Sequence, residues 1–211
     1  MSKIDTSVVI CCAGMGTRLG IGTTKALMHI NGKPLIIHQL EALDDFEDIR
    51  IVVGYQADRV IEAVNSYRKD IMFAFNNEFK TTGPAASLGK GMINSRKYIL
   101  SIDGDILIDP IDFKKILAYE GEYLAITDIH SEEPIRVLVE NDQVKKFERD
   151  GNYEWPGIAK IESSRLKKDV GYTYDIIDKI LPIPAILVQS RDIDTPEDYE
   201  SAIKWVENGY K

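Results

Sequence analysis

A buried strand that runs straight into a glycine loop carrying two basic residues constrains this chain more than any other feature. Ser7 to Ala13 is an unbroken β-rich apolar run that ends at Gly14. Strands of that kind, without polar alternation, belong to parallel sheets covered on both faces. The chain continues Gly14-Met15-Gly16-Thr17-Arg18-Leu19-Gly20-Ile21-Gly22-Thr23-Thr24-Lys25. The glycines let the backbone turn tightly and bring its N–H groups close to an anion. Arg18 offers a planar fork for phosphate oxygens and Lys25 a mobile point charge. At the C-terminal end of a parallel strand, such a loop lies where α/β sheets bind ligands.

The first half of the chain alternates between strand and helix patterns. Ile49 to Val53 reads as a second buried strand, and Ile71 to Phe75 and Tyr98 to Ile102 as a third and a fourth strand. Helices are expected over Pro34 to Leu43, around Val60, Ile61 and Val64, and over Ala85 to Ser95. Strands separated by helices of this length form right-handed βαβ units. The second half has short strands with hairpin-scale links: Tyr123 to Thr127, Ile135 to Val139, Gln143 to Phe147 and Ile158 to Ile161. Asn141-Asp142 is a turn between two of them, and Ile183 to Val188 returns as a strand. Thr195-Pro196-Glu197-Asp198 opens a last helix, with Thr195 as N-cap, Pro196 at the first helical position and Asp198 completing a capping box. With no linker between the halves, residues 1–211 are expected to be one domain. Within it, 1–120 would be a nucleotide-binding half, 121–190 a β-rich acceptor-binding lobe, and 191–211 a metal-site segment and helix. The expected fold class is α/β: a Rossmann-like three-layer α/β/α architecture, with a mostly parallel mixed central sheet and a small antiparallel β lobe.

Spacing excludes two familiar phosphate loops. A dinucleotide fingerprint needs G-x-G-x-x-G, and Leu19 stands where the third glycine belongs. Gly83 to Lys90 approaches the Walker A pattern but is one residue too long. A net charge of −8 argues against nucleic acid as a partner, because backbone binding needs a basic footprint. No apolar stretch approaches the ~20 residues of a membrane span. Asp5 and Thr6, ahead of a short apolar run, argue against a secretory leader. The two cysteines, Cys11 and Cys12, are adjacent in an apolar run and read as buried strand thiols. A reducing cytoplasm is the expected setting. His29, His38 and His130 form no cluster and are given no catalytic role.

Asp103-Gly104-Asp105 ends the fourth strand pattern. Carboxylates there are well placed to hold Mg²⁺ with a phosphate as co-ligand, although Asp and Gly also favour plain turns. Alternation places Asp192 and Asp194 on one side of the chain and Ile193 on the other.

The loop resembles the A-G-x-G-T-R-[LM] signature, with a lysine shortly after, of nucleotidyltransferases built on the glycosyltransferase-A-like fold. This group includes the sugar-1-phosphate nucleotidyltransferases and the phosphocholine cytidylyltransferase-like enzymes. Gly32-Lys33-Pro34-Leu35 is similar to the next feature of that group, and Asp192 to Asp198 to its C-terminal acidic segment. The group usually has Pro-Lys where this chain has Thr24-Lys25. The resemblance implies that Arg18 and Lys25 bind the triphosphate and stabilise charge during transfer. It implies nucleotide contacts at Ala13, Gly14, Gly16, Thr17 and Asp103, and a magnesium site on Asp105 and Asp194. Asn76 to Leu88 is similar to the loop that reads the base in that group, making Asn76, Gly83 and Ser87 candidates, although an ordinary polar loop would look the same. Arg149 stands where that group has the lysine that holds the acceptor phosphate, which makes it and Lys146 candidates for the acceptor, or else the two form a solvated strand face. Glu154 and Trp155 would line the acceptor pocket. The expected partners are an NTP, with CTP ahead of UTP, and a phosphorylated small molecule, and a homodimer is left open.

Two rivals come from other classes. Asp103-Gly104-Asp105 also reads as the D-x-D motif of glycosyltransferases, but those have no need for the Gly14 to Lys25 loop. A non-catalytic nucleotide-binding module would not need the basic and acidic elements together. Within the resemblance, a molybdopterin-type enzyme fits less well, because its loop is shorter between arginine and lysine.

Overall fold

The computed structural model describes residues 3–16 and 22–210. In chain order the elements are β1 (Thr6–Cys12), a 3-10 turn (Lys25–Leu27), β2 (His29–Ile30), β3 (Lys33–Pro34), α1 (Leu35–Glu41), β4 (Ile49–Val53), α2 (Ala57–Tyr67), β5 (Met72–Phe75), α3 (Pro84–Gly91), β6 (Tyr98–Asp103), β7 (Ile106–Ile108), α4 (Pro110–Ala118), β8 (Tyr123–Ile126), β9 (Arg136–Glu140), β10 (Gln143–Phe147), β11 (Tyr153–Glu154), β12 (Ile158–Glu162), a 3-10 turn (Ser163–Arg165), α5 (Thr173–Asp178), β13 (Ile183–Leu187), β14 (Ser190–Asp192) and α6 (Pro196–Glu207).

Ten strands form one mixed sheet in the order β11-β9-β10-β13-β8-β12-β6-β1-β4-β5. The β6-β1-β4-β5 end is parallel throughout, as the apolar strands require. β12 enters antiparallel between β6 and β8, and β13 runs parallel to β8. Beyond β13 the antiparallel strands continue the same sheet, then curl back: Glu154 on β11 exchanges backbone hydrogen bonds with Thr127, just past β8. Asn141 and Asp142 both have positive φ (51° and 58°), the type I′ geometry that suits a tight β9–β10 hairpin.

Alternation along β1 explains the layers. Val8, Ile10 and Cys12 point into one core, with Leu40 of α1, Val60 of α2 and Phe113 of α4. Val9 and Ala13 point into the other, with Ala85 and Leu88 of α3 and Ile176 of α5. The three-layer reading of the sequence is therefore met. The near-match to Walker A is not a phosphate loop: most of it lies within α3. Below the site, Arg50 is buried and spends all its donors, on both carboxylate oxygens of Asp48 and on the carbonyls of Gly91, Ile93 and Asn94. This ties β4 to the end of α3.

The helices α4 and α5 and the short strands β2, β3, β7, β11 and β14 are additions to the elements expected from sequence. β7 and β14 form a separate two-stranded antiparallel ribbon, Asp192 opposite Ile106. A third core of Ile30, Leu35, Leu107, Ile193 and Trp205 seats this ribbon and α6 against the start of α1.

Candidate active site

The acidic turn is held from three sides. Gly104 donates to Cys11 O at 3.0 Å, Asp103 N donates to Gly157 O at 3.2 Å, and the Gln39 amide donates to Asp103 O (2.9 Å) and Ile106 O (2.8 Å). A side chain at position 104 would meet Cys12 Sγ at 2.6 Å, so the turn can rest on β1 only as glycine. Gly157 has φ +77° and lies against Asp103 Oδ2, where an added Cβ would come to 2.3 Å. Glycine alone takes that backbone and leaves room for the carboxylate.

Asp194 reaches the turn through the β7–β14 ribbon. Ile193 is fully buried, and its N–H donates to Asp105 O at 3.1 Å. Asp198 Oδ2 accepts from the N–H groups of Asp194 (3.2 Å) and Thr195 (2.8 Å), while Thr195 Oγ1 caps Asp198 N at 3.1 Å. The expected capping box therefore also fixes the backbone of Asp194.

Lys25 completes the cluster. Its Nζ donates to Asp105 Oδ2 at 2.8 Å and to Asp194 Oδ1. Gly16, at φ +60°, passes so close that a Cβ there would lie 3.0 Å from Lys25 Cγ. Burial works against the ammonium, but Asp105 and Asp194 outweigh it and hold the Lys25 pKa above its usual value. Burial, with repulsion from Asp105, pushes the Asp103 carboxyl up to about 8, against the pull of Lys25. Asp192 is also held well above the carboxylate range, by burial first and then by its acidic neighbours.

Two cavities share Cys11, Gly14 and Asp105 along this edge, and a third lies nearby. One, of about 190 Å³, is walled by Cys11, Gly14, Gly16, Lys25 and Asp105. The next, of about 200 Å³, has Ala13, Asn76, Gly83, Ser87 and Asp103 in its wall. The third, of about 250 Å³, lies beyond Asp194 among Ser131, Glu132, Glu133, Asp192 and Asp198.

Gly14, Gly16, Lys25, Asp103, Asp105 and Asp194 thus come together, with Ala13, Asn76, Gly83 and Ser87 in the adjoining wall. Thr17 and Arg18 lie outside the described residues. Asn76 is buried, and its amide already donates to Ser87 Oγ (3.0 Å) and Thr82 Oγ1 (3.2 Å) while Oδ1 accepts from Glu78 N. It organises the loop from within. Gly83 is placed by the backbone of Gly171, which a Cβ would meet at 2.1 Å.

The four residues assigned to the acceptor are dispersed. Lys146 is exposed on β10 and pairs with Glu148 at 2.6 Å, and Arg149 is exposed in the following turn. Glu154 is buried, and its carboxylate accepts from the His130 and Ser131 N–H groups and from Ser131 Oγ, so it anchors that loop. Trp155 is a core residue: its Nε1 donates to Ile158 O at 3.1 Å and its ring meets Phe147 edge-on. Among the described residues no group of three or more metal-ligating side chains is preassembled. Gln39, Gln56 and Gly157 escape a reading of the sequence. A glutamine inside the apolar Leu35–Leu40 face is the available signal for the first.

The chain matches the model of the MobA-like NTP transferase domain over residues 8–147, more than half its length. It is 30% identical over 188 residues to the bifunctional protein GlmU of Helicobacter pylori, covering 83% of this chain and 42% of that protein. It thus spans less than half the length of that curated relative. Among solved structures, the inositol-1-phosphate CTP transferase of T. maritima superposes with a TM-score of 0.76 at 19% identity, covering 98% of each chain. The CTP:phosphocholine cytidylyltransferase of Streptococcus pneumoniae gives 0.76 at 21%, covering 96% of this chain and 99% of that one. These two establish the fold, and the matched domain establishes the family. The glycine loop, the acidic turn and the chain that joins them to β10 all fall inside the matched segment: this protein belongs to the MobA-like NTP transferase domain family.

Proposed function

We propose that this protein transfers a nucleoside monophosphate from an NTP, CTP or UTP, to a phosphorylated small molecule and releases pyrophosphate. The observation that carries this reading is the convergence of Lys25, Asp105 and Asp194 beside the glycine turn at the ends of β1 and β6. The acceptor is a sugar 1-phosphate or an alcohol phosphate of the phosphocholine kind. The folds of the inositol-1-phosphate CTP transferase and the CTP:phosphocholine cytidylyltransferase support that range.

The acceptor's phosphate is largely dianionic near neutral pH, since its second pKa is about 6. One of its oxygens attacks the α-phosphorus of the NTP in line. The new P–O bond forms as the bond from the α-phosphorus to the bridging oxygen breaks, and the electron pair leaves with pyrophosphate. No protein base is needed. Lys25 and the loop amides, with Arg18, stabilise the negative charge that builds on the departing phosphates.

The residues present fit a divalent cation. Two carboxylates from separate elements already share one ammonium, so they converge on a single point of positive charge. Asp105 and Asp194 would hold Mg²⁺ there, with phosphate oxygens and water completing its shell. When bound, it supplies charge neutralisation at the α-phosphate. Lys25 would then bind the triphosphate instead of bridging the two carboxylates. The acceptor would approach over the 121–190 lobe and the acidic cavity beyond Asp194, whose carboxylates suit hydroxyl or ammonium groups.

A thermal-shift panel of CTP, UTP, dTTP, GTP and ATP, each with and without Mg²⁺, tests this reading. A ligand at about 100 times its Kd adds about 2.7 kcal/mol of stability. One NTP standing out, only with Mg²⁺, supports it. A shift with a nucleoside diphosphate sugar and with no NTP contradicts it.

A further inference from the structure

We infer that Gln56 is a positioning residue for Lys25, its side-chain amide fixing the backbone that leads into the lysine. The inference rests on the role given to Lys25 above. Thr24 has φ −69°, inside the narrow range that a proline ring imposes. Unlike proline it keeps an N–H, and that N–H donates to Gln56 Oε1 at 3.3 Å. The same oxygen accepts from Thr23 Oγ1 at 3.1 Å, and Gln56 Nε2 donates to Gly22 O at 2.8 Å. One carboxamide therefore ties down each residue from Gly22 to Thr24. Lys25 follows directly and opens the 3-10 turn.

The amide is itself held. Arg59 Nη1 lies 3.1 Å from Gln56 Oε1 and 3.4 Å from Thr23 Oγ1. Arginine can only donate, so the oxygen of the amide must face it and the loop. Gln56 sits at φ 50°, ψ 38°, a left-handed conformation that few non-glycine residues adopt. Its neighbour Tyr55 donates from its N–H to Ala13 O at 3.1 Å. Gly54 lies so near that a Cβ would be 2.8 Å from that carbonyl. The segment from Gly54 to Arg59 thus grips the glycine loop at both described ends, Ala13 on one side and Gly22 to Thr24 on the other. A lysine on a long flexible stem gains its geometry from the backbone beneath it. A shift of about 1 Å in a charge-stabilising group can cost about 100-fold in rate.

If the amide does the work of a proline ring, then proline at position 24 makes it dispensable. The experiment is a cycle of Gln56→Ala and Thr24→Pro, singly and together, with Gln56→Glu as the conservative variant. Pyrophosphate release is followed with whichever NTP of the panel the wild type uses, separating kcat from the KM of the acceptor, and melting temperatures are recorded for each protein. Q56A should lower kcat about 10- to 100-fold and leave the acceptor KM within about twofold. T24P keeps the φ but gives up the N–H bond to Gln56, so it should melt somewhat lower than wild type while its kcat stays within about threefold. In the T24P background Q56A should change kcat by less than about threefold. Q56E keeps the acceptor for Thr24 N–H and should retain most activity.

An unchanged kcat in Q56A, or the same loss in both backgrounds, overturns the inference. If T24P does not fold, the Q56E and Q56A pair decides: equal loss in both overturns it. If the wild type releases no pyrophosphate from any NTP, the proposed function fails. The melting cycle then judges the clamp alone: a loss on Q56A that T24P abolishes sustains it, and an additive loss overturns it.

Discussion

Lys25 Nζ donates to Asp105 Oδ2 at 2.8 Å across eighty positions of sequence, and the same ammonium reaches Asp194 from the far end of the chain. The glycine loop and the two acidic segments therefore form one electrostatic unit. Removing Lys25 leaves two carboxylates facing each other, and removing Asp105 strips the unit of an anchor. Lys25→Met and Asp105→Asn should each lower turnover by about 10³-fold or more, with far-UV circular dichroism unchanged. Lys25→Met should also gain more melting temperature from Mg²⁺ than wild type does, because the ion no longer competes with the ammonium. An equal Mg²⁺ shift in the two proteins would show that the ion binds elsewhere.

Asp48 offers a test of the scaffold below the site. Partial burial alone would raise its pKa. The hydrogen bonds from Arg50 and Ser7 and the charges of Arg50 and Arg96 outweigh that and hold the carboxyl below its ordinary value. A depressed carboxyl contributes stability above its unfolded pKa, about 3.9, and loses it as pH falls through the lower folded value. Asp48→Asn should cost about 1–2 kcal/mol near neutrality, discounted for its partial exposure, and flatten the loss of stability below about pH 4. Urea unfolding at a series of pH values measures both.

Gly157 is a structural test of the acidic turn. Its φ of +77° and the 2.3 Å at which an added Cβ would meet Asp103 Oδ2 leave no room for a side chain. Gly157→Ala should destabilise by about 1–3 kcal/mol and lower turnover by displacing Asp103. A variant with wild-type melting and wild-type rate would mean that the turn tolerates the shift.

The two thiols at the end of β1 should be inert. Burial first, then the nearby Asp103 and Asp105 carboxylates, push both Cys11 and Cys12 up. The thiolate is the reactive form. Iodoacetamide around pH 8, close to an ordinary thiol pKa of about 8.5, should label neither in the native protein and both in guanidinium. Cys11 is only partly buried, in the wall of the first cavity, so rapid native labelling of it would show that access from the cleft outweighs its raised pKa.

The parallel half is legible because its strands are apolar runs, and β4 matches its sequence bounds to the residue; in the antiparallel half β10 does the same. The Lys25, Asp105 and Asp194 cluster is legible because each sits in a short run of distinctive residue types at a strand end. The β7–β14 ribbon is not, since strands of only three residues leave no period to count. Glu154 and Trp155 look like pocket residues in the sequence, yet they satisfy Ser131 and the core. Their roles depend on the curl that returns β11 to Thr127, a long-range event with no local signature. Gln56 is equally silent, because its partners lie more than thirty positions away.

The most direct test of nucleotidyl transfer follows the phosphorus. An NTP labelled at the α-position is incubated with Mg²⁺, the protein and a panel of sugar 1-phosphates and alcohol phosphates, in parallel with the γ-labelled NTP. Transfer of α-label into the acceptor product, with γ-label appearing only in pyrophosphate, is the predicted result. Retention of both labels in unreacted NTP, together with sugar transfer from a nucleoside diphosphate sugar, would contradict it.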